Sequence, residues 1–94
     1  MPTALLTLIG KPGCHLCDDA RDVITSVVAK IAGHPAAPEI ILEERSILDD
    51  PELSERFVED IPVLLINCNI HNRWRIDPLR LRTALLEVLL LPFP

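Results

Sequence analysis

Apolar residues along this chain come in short blocks separated by proline, glycine and charge, and the spacing within each block differs. Ala4 to Ile9 is a nearly continuous apolar run closed by Gly10, Pro12 and Gly13. It is too short for a helix and carries the β-branched Thr7 and Ile9, so it reads as a buried strand. From Leu16 onward the apolar positions are Leu16, Ala20, Val23, Ile24, Val27, Val28 and Ile31, which keeps them on one face of a helix that Gly33 and Pro35 should end. Ile40, Ile41 and Leu42 form a second strand. Asp50-Pro51-Glu52 then supplies an N-cap, a first-turn proline and a favourable charge for a short helix to about Phe57. Val63 to Ile66 and Ile70 to Ile76 read as a hairpin turning at Asn67-Cys68-Asn69. Asp77-Pro78 repeats the cap-and-proline signal and opens a last helix, with Leu81, Ala84, Leu85, Val88 and Leu89 on its core face.

The resulting order is β-α-β-α-β-β-α, an α/β fold with a four-stranded mixed sheet flanked by helices. The first two strands, joined through a helix, should run parallel with a right-handed crossover, and the hairpin adds antiparallel strands. At 94 residues the chain is expected to form a single domain over 1–94, because a second core would need roughly 50 more residues. With 49% hydrophobic residues it can bury a core without staples.

Charge and hydropathy narrow the function. A net charge of -5 with scattered arginines offers no basic stripe for phosphates, so no nucleic-acid partner is expected. Met1 to Gly10 lacks a positive leader, and the run from Leu85 to Pro92 is interrupted by Glu87 and is far below the roughly 20 residues that span a bilayer. The expectation is a soluble cytoplasmic protein with no membrane partner. Three cysteines are an odd, sparse set, which in a reducing compartment favours reactive or metal-binding thiols over structural bridges.

Two of those cysteines stand in Lys11-Pro-Gly-Cys-His-Leu-Cys17, between the first strand and the first helix. Cys14 therefore falls at the helix mouth, where free backbone N–H groups and about half a positive charge stabilise a thiolate. Such sites lower a thiol pKa from about 8.5 to between about 3.5 and 7.5. Cys17, three and seven residues before Ala20 and Ile24, leans toward the buried face, so Cys14 should attack and Cys17 resolve. Lys11 could bring its ammonium to the Cys14 sulfur, and a protonated His15 would act in the same sense. Asp18 and Asp19 oppose both while complementing the helix dipole. His34 carries no signal beyond that of a surface histidine.

K-P-G-C-H-L-C-D after the first strand, with Ile61-Pro62 before the third, resembles the glutaredoxin-like members of the thioredoxin superfamily across almost the whole chain. The resemblance implies a thioredoxin-like fold, Cys14 as nucleophile, Cys17 as resolving thiol, and a cis Pro62 facing the pair. The Ile61 backbone then offers an edge to substrate, and His15 and Asp77 flank it. The chain departs from dithiol glutaredoxins by carrying C-H-L-C in place of C-P-Y-C, and R-W-R-I-D where those proteins have G-G-x-D. The bulky Trp74 to Ile76 segment implies glutathione as a weak or unselective co-substrate, with no tightly bound cofactor. The reading is a thiol-disulfide oxidoreductase acting on a disulfide-containing protein or a small thiol conjugate.

Two other classes fit parts of the pattern. Zinc could be held by Cys14, Cys17, Cys68 and His71, a legal set of three sulfurs and one nitrogen. In the expected topology, though, Cys68 lies six residues along a strand from Cys14's neighbour Pro62, roughly 20 Å away, so no metal site is expected. A non-catalytic binding module of the same fold would use Leu79, Leu86 and Leu90, which fall off the core face of the last helix at spacings of 7 and 4. A monomer is expected, and the same stripe would serve a homodimer through that helix.

Overall fold

The structure, a computed structural model, describes residues 3–33 and 39–90. His34, Pro35 and the side chains of Leu89 and Leu90 lie outside the described set. The element order is the expected one: β1 (Thr3–Gly10), α1 (His15–Ala32), β2 (Glu39–Ser46), α2 (Pro51–Phe57), β3 (Val63–Ile66), β4 (Asn69–Arg73) and α3 (Pro78–Leu90). The strands lie in the order β2-β1-β3-β4. β1 is parallel to β2 and antiparallel to β3, and β3 is antiparallel to β4.

β1 is largely apolar, Thr7 being its buried polar residue, because it is a central strand covered on both faces. Ala4, Leu6 and Leu8 point to one side and pack with Ala20, Ile24, Val27 and Ile31 of α1, Leu64 and Ile66 of β3, and Leu81 and Leu85 of α3. Ile9 points to the other side and joins Ile47, Phe57 and Val63, with Leu53 of α2 and Leu65 of β3 packed on that cluster. The period-two alternation of strand side chains thus divides the sheet into a face under α1 and α3 and a face under α2.

Both proline-opened helices start at the expected caps. Asp50 accepts from the Glu52 amide at 2.9 Å, and Asp77 accepts from the Leu79 and Arg80 amides at 2.9 and 3.2 Å. α1 ends at its Gly33 cap, whose N–H bonds the Ile31 carbonyl.

Three boundaries differ from the sequence reading. β2 extends well past Leu42, through Glu43, Glu44, Arg45 and Ser46. It is an edge strand that pairs with β1 at eight positions, so backbone pairing carries it forward while its charges stay in water. The hairpin turn is Asn67-Cys68 alone, with φ of 49° and 71°, because Asn69 already pairs with Ile66. Two consecutive positive φ angles are what a two-residue hairpin turn of this hand demands. β4 stops at Arg73 rather than Ile76: Trp74 has φ 62° and its N–H donates to the Pro62 carbonyl at 2.8 Å. Ile76 is buried in the α1/α3 core from a loop, and its burial imitates strand alternation in the sequence.

Within β4 the register shifts opposite Leu64 and Leu65, skipping His71. Its buried Nε2 has no hydrogen-bond partner. Burial, and secondarily the nearby Arg80, pushes its pKa below the ordinary histidine value.

Candidate functional site

The cysteine pair sits where β1 hands over to α1. Cys14 is the α1 N-cap, extended at φ -99°, and its Sγ accepts from the Cys17 N–H at 3.2 Å. The sulfur thus occupies the position a serine or aspartate oxygen takes in an ordinary cap. Sγ of Cys14 and Cys17 lie at disulfide distance with their Cα atoms 5.2 Å apart, inside the usual range of about 4.4–6.8 Å. Cys17 is only 2% exposed, whereas Cys14 is half-buried. The asymmetry expected from helical spacing is present.

Gly10 closes β1 directly against this pair. A Cβ built there would lie 2.7 Å from Cys17 Sγ and 3.2 Å from Cys17 Cβ, so the missing side chain is what lets the strand end pack on the sulfur. Gly10→Ala is expected to lower stability by an overpacking cost of about 1–3 kcal/mol. The loss should be larger in the oxidised protein, since a free Cys17 thiol can rotate away and a bonded sulfur cannot. Thermal melts of oxidised and reduced protein check both statements. Gly13 serves differently, its φ of 73° making the turn that delivers Cys14 to the helix mouth.

The other anticipated residues come from several elements. Ile61-Pro62 is a cis peptide bond, with Pro62 buried and Ile61 half-buried at the start of β3. His15 is the exposed first residue of α1. Lys11 is exposed and lines a cavity of about 270 Å³ whose wall includes Gly10, Cys17, Asp18 and Arg21. Asp18 is drawn into an exposed ion-pair chain, 2.9 Å from Arg21, which in turn contacts Glu44 of β2 at 2.7 Å. Glu44 chiefly, with Asp18, raises the Arg21 pKa further. That chain links α1 to the edge strand and offsets the negative charge next to the cysteines. Asp77 caps α3.

Cys68 does not join the pair: it is a free, exposed thiol in the hairpin turn. His71 instead borders a shallow depression with Leu79, Arg80 and Glu87 of α3. Among the described residues no three His, Cys, Asp or Glu side chains converge as a metal set.

Leu16, inside the C-x-x-C, was not anticipated as a site residue, and Trp74 was weighed only as bulk against glutathione. Leu16, counted on the buried face of α1, is 38% exposed, although Cys17 beside it is sealed against β1. Trp74, read as strand, is 53% exposed. Its backbone N–H is bound to the Pro62 carbonyl and its indole Nε1 donates to the Glu59 carbonyl at 3.1 Å, so it stands beside the cis-proline segment.

A mixed sheet in this order with a C-x-x-C at the first helix N-terminus and a cis-proline opening the third strand defines a thioredoxin-like protein. Within that class, the chain belongs to the Glutaredoxin-like domain (DUF836) family, whose sequence model matches residues 5–86. A structural-genomics target protein from X. campestris, solved by X-ray diffraction, is 29% identical, with 85% of this chain and 93% of that chain covered and a TM-score of 0.62. A protein from Nitrosomonas europaea solved by NMR in solution is 19% identical, covering 86% and 89% at a TM-score of 0.69. A malarial protein is 14% identical, covering 93% and 98% at 0.64. The last two likenesses concern the fold alone. No curated protein matches the chain.

Proposed function

We propose that this protein is a thiol-disulfide oxidoreductase cycling between a dithiol and a Cys14–Cys17 disulfide. The observation that carries the reading is the pair itself: two sulfurs at disulfide distance, one capping α1 and half-buried, the other sealed beneath β1. Membership of the glutaredoxin-like family supports it.

In this reading Cys14 is the nucleophile. Its thiolate attacks a substrate disulfide, forming a mixed disulfide and releasing the second substrate sulfur as a thiolate. Cys17, one turn on, then displaces the remaining substrate thiolate and closes the internal disulfide. Two electrons pass from the protein dithiol to the substrate. The α1 N-terminus and the Lys11 ammonium favour Cys14 as a thiolate both when it attacks and when it leaves. The Ile61 backbone, held beside Pro62, receives an extended substrate segment as an added edge, with His15 and Asp77 at its flanks. No tightly bound cofactor is required. The partner is a disulfide-bearing protein or a small thiol conjugate, with glutathione a weak co-substrate, in a reducing cytoplasm and with the protein acting as a monomer.

Iodoacetamide should discriminate the three thiols of the reduced protein. At about pH 6 only a thiol shifted well below the usual value of about 8.5 reacts quickly, so Cys14 should be alkylated well ahead of Cys17 and Cys68. Peptide mass spectrometry reads the order, and earlier labelling of Cys17 or Cys68 would remove the assignment.

A further inference from the structure

The segment between β4 and α3 forms one wall of a groove against α1. Leu16, Val23, Trp74 and Ile76 line a cavity of about 220 Å³ between α1 and this segment, with Asp19 and Arg75 also in its wall. We propose that this groove holds an apolar side chain next to the reacting cysteine of a protein substrate, and so selects protein disulfides with aliphatic or aromatic neighbours over glutathione disulfides. The inference rests on the oxidoreductase reading and names its substrate class.

Position comes first. Leu16 lies inside the C-x-x-C, between the two sulfurs in sequence, and Trp74 is tied through its backbone and its indole to Pro62 and Glu59. A chain bonded to Cys14 and lying along the Ile61-Pro62 edge would have Leu16 two residues from its attachment point and Trp74 hydrogen-bonded to its edge, both lining one groove. Leu16 and Trp74 are also among the large apolar groups left facing water, at a cost that burial under a substrate would recover. Because Trp74 is already held by two hydrogen bonds, little freedom is lost when it becomes a wall.

Size and charge choose the occupant. A cavity of about 220 Å³ is below the roughly 300–1,000 Å³ of sites that enclose a whole small molecule, and it suits one large side chain. Its wall has one acid and one cation, Asp19 and Arg75, and so no surplus positive charge for the paired carboxylates of each glutathione. An indole and a leucine lining one groove offer the apolar contact that aromatic and branched side chains fill well.

The test uses the full chain carrying Cys17→Ser, which stops at the mixed disulfide. The symmetric disulfides of acetyl-Phe-Cys-Phe-amide and acetyl-Gly-Cys-Gly-amide, and oxidised glutathione, are presented separately, and the rate of Cys14 adduct formation is followed by mass spectrometry. The Phe peptide should react about tenfold faster than the Gly peptide, an advantage of about 1.4 kcal/mol. Trp74→Ala and Leu16→Ser, each added to that background, should cut the ratio by about threefold or more, as loss of a packed anchor does. Leu48→Ser, at an exposed apolar residue of the β2–α2 loop, should leave it unchanged. Leu16→Ser changes an exposed side chain and decides the matter should Trp74→Ala fail to fold. A Phe-to-Gly ratio below about twofold, a ratio indifferent to the groove variants, or faster reaction with oxidised glutathione than with the Phe peptide overturns the groove assignment while leaving the Cys14 chemistry intact. Failure of Cys14 to form an adduct with any of the three overturns the oxidoreductase reading together with it.

Discussion

Cys17→Ser should reduce protein-disulfide turnover by about two orders of magnitude or more, close to 3 kcal/mol of transition-state free energy at about 1.4 kcal/mol per decade. The attack by Cys14 should survive in this variant, because serine at position 17 leaves the amide that donates to Cys14 Sγ in place. What is lost is the second displacement. The mixed disulfide then has no thiolate one turn away to break it, so it should accumulate as a covalent adduct on Cys14. Insulin reduction by the reduced protein, with mass spectrometry of the intact variant, measures both halves. Brisk glutathione-dependent turnover of small mixed disulfides by Cys17→Ser would instead mark a monothiol mechanism and overturn the need for the internal disulfide.

The other large effect lies in the core beneath the site. Leu81→Ala should lower stability by about 2–5 kcal/mol, the usual range for truncating a fully buried leucine, which is a large part of the roughly 5–15 kcal/mol that holds a domain together. Leu81 is 0% exposed and packs from α3 into the cluster that includes Leu6, Ile24 and Leu64. Leu79, two residues earlier on the same helix, is 73% exposed, so Leu79→Ala should fall within about 0.5 kcal/mol of the parent. Denaturant melts of the two variants separate the cause cleanly, since residue type and helix propensity are the same and only burial differs. Equal losses would mean that Leu79 is covered, for example by a second copy of the chain.

Much of the architecture was legible because its signals are local. Asp50-Pro51 and Asp77-Pro78 specify helix starts through a side-chain oxygen and a proline ring, groups that act on the next three residues whatever surrounds them. The short, nearly continuous apolar run of β1 declared a buried strand. The stripe from Ala20 to Ile31 declared which side of α1 meets the sheet, and with it the exposure difference between Cys14 and Cys17. C-x-x-C at a strand-to-helix junction likewise carries its own electrostatics. The resemblance carried by Ile61-Pro62 placed the cis bond correctly.

Tertiary structure decided what depends on partners distant in sequence. β2 runs through Glu43, Glu44 and Arg45 because β1 is there to pair with, and no intrinsic preference of those residues would have extended it. β4 ends at Arg73 because Trp74, still bonded to the Pro62 carbonyl, turns to φ 62° and leads the chain out of the sheet, whereas the apolar residues from Ile70 to Ile76 pointed to a longer strand. The fit of Gly10 against Cys17 depends on a strand end and a helix turn meeting in space, a distance no spacing encodes. The groove of Leu16 and Trp74 has the same origin. Apolar periodicity says that a side chain seeks cover, but only the packed chain shows where the sheet runs out and leaves that side chain to be covered by something else.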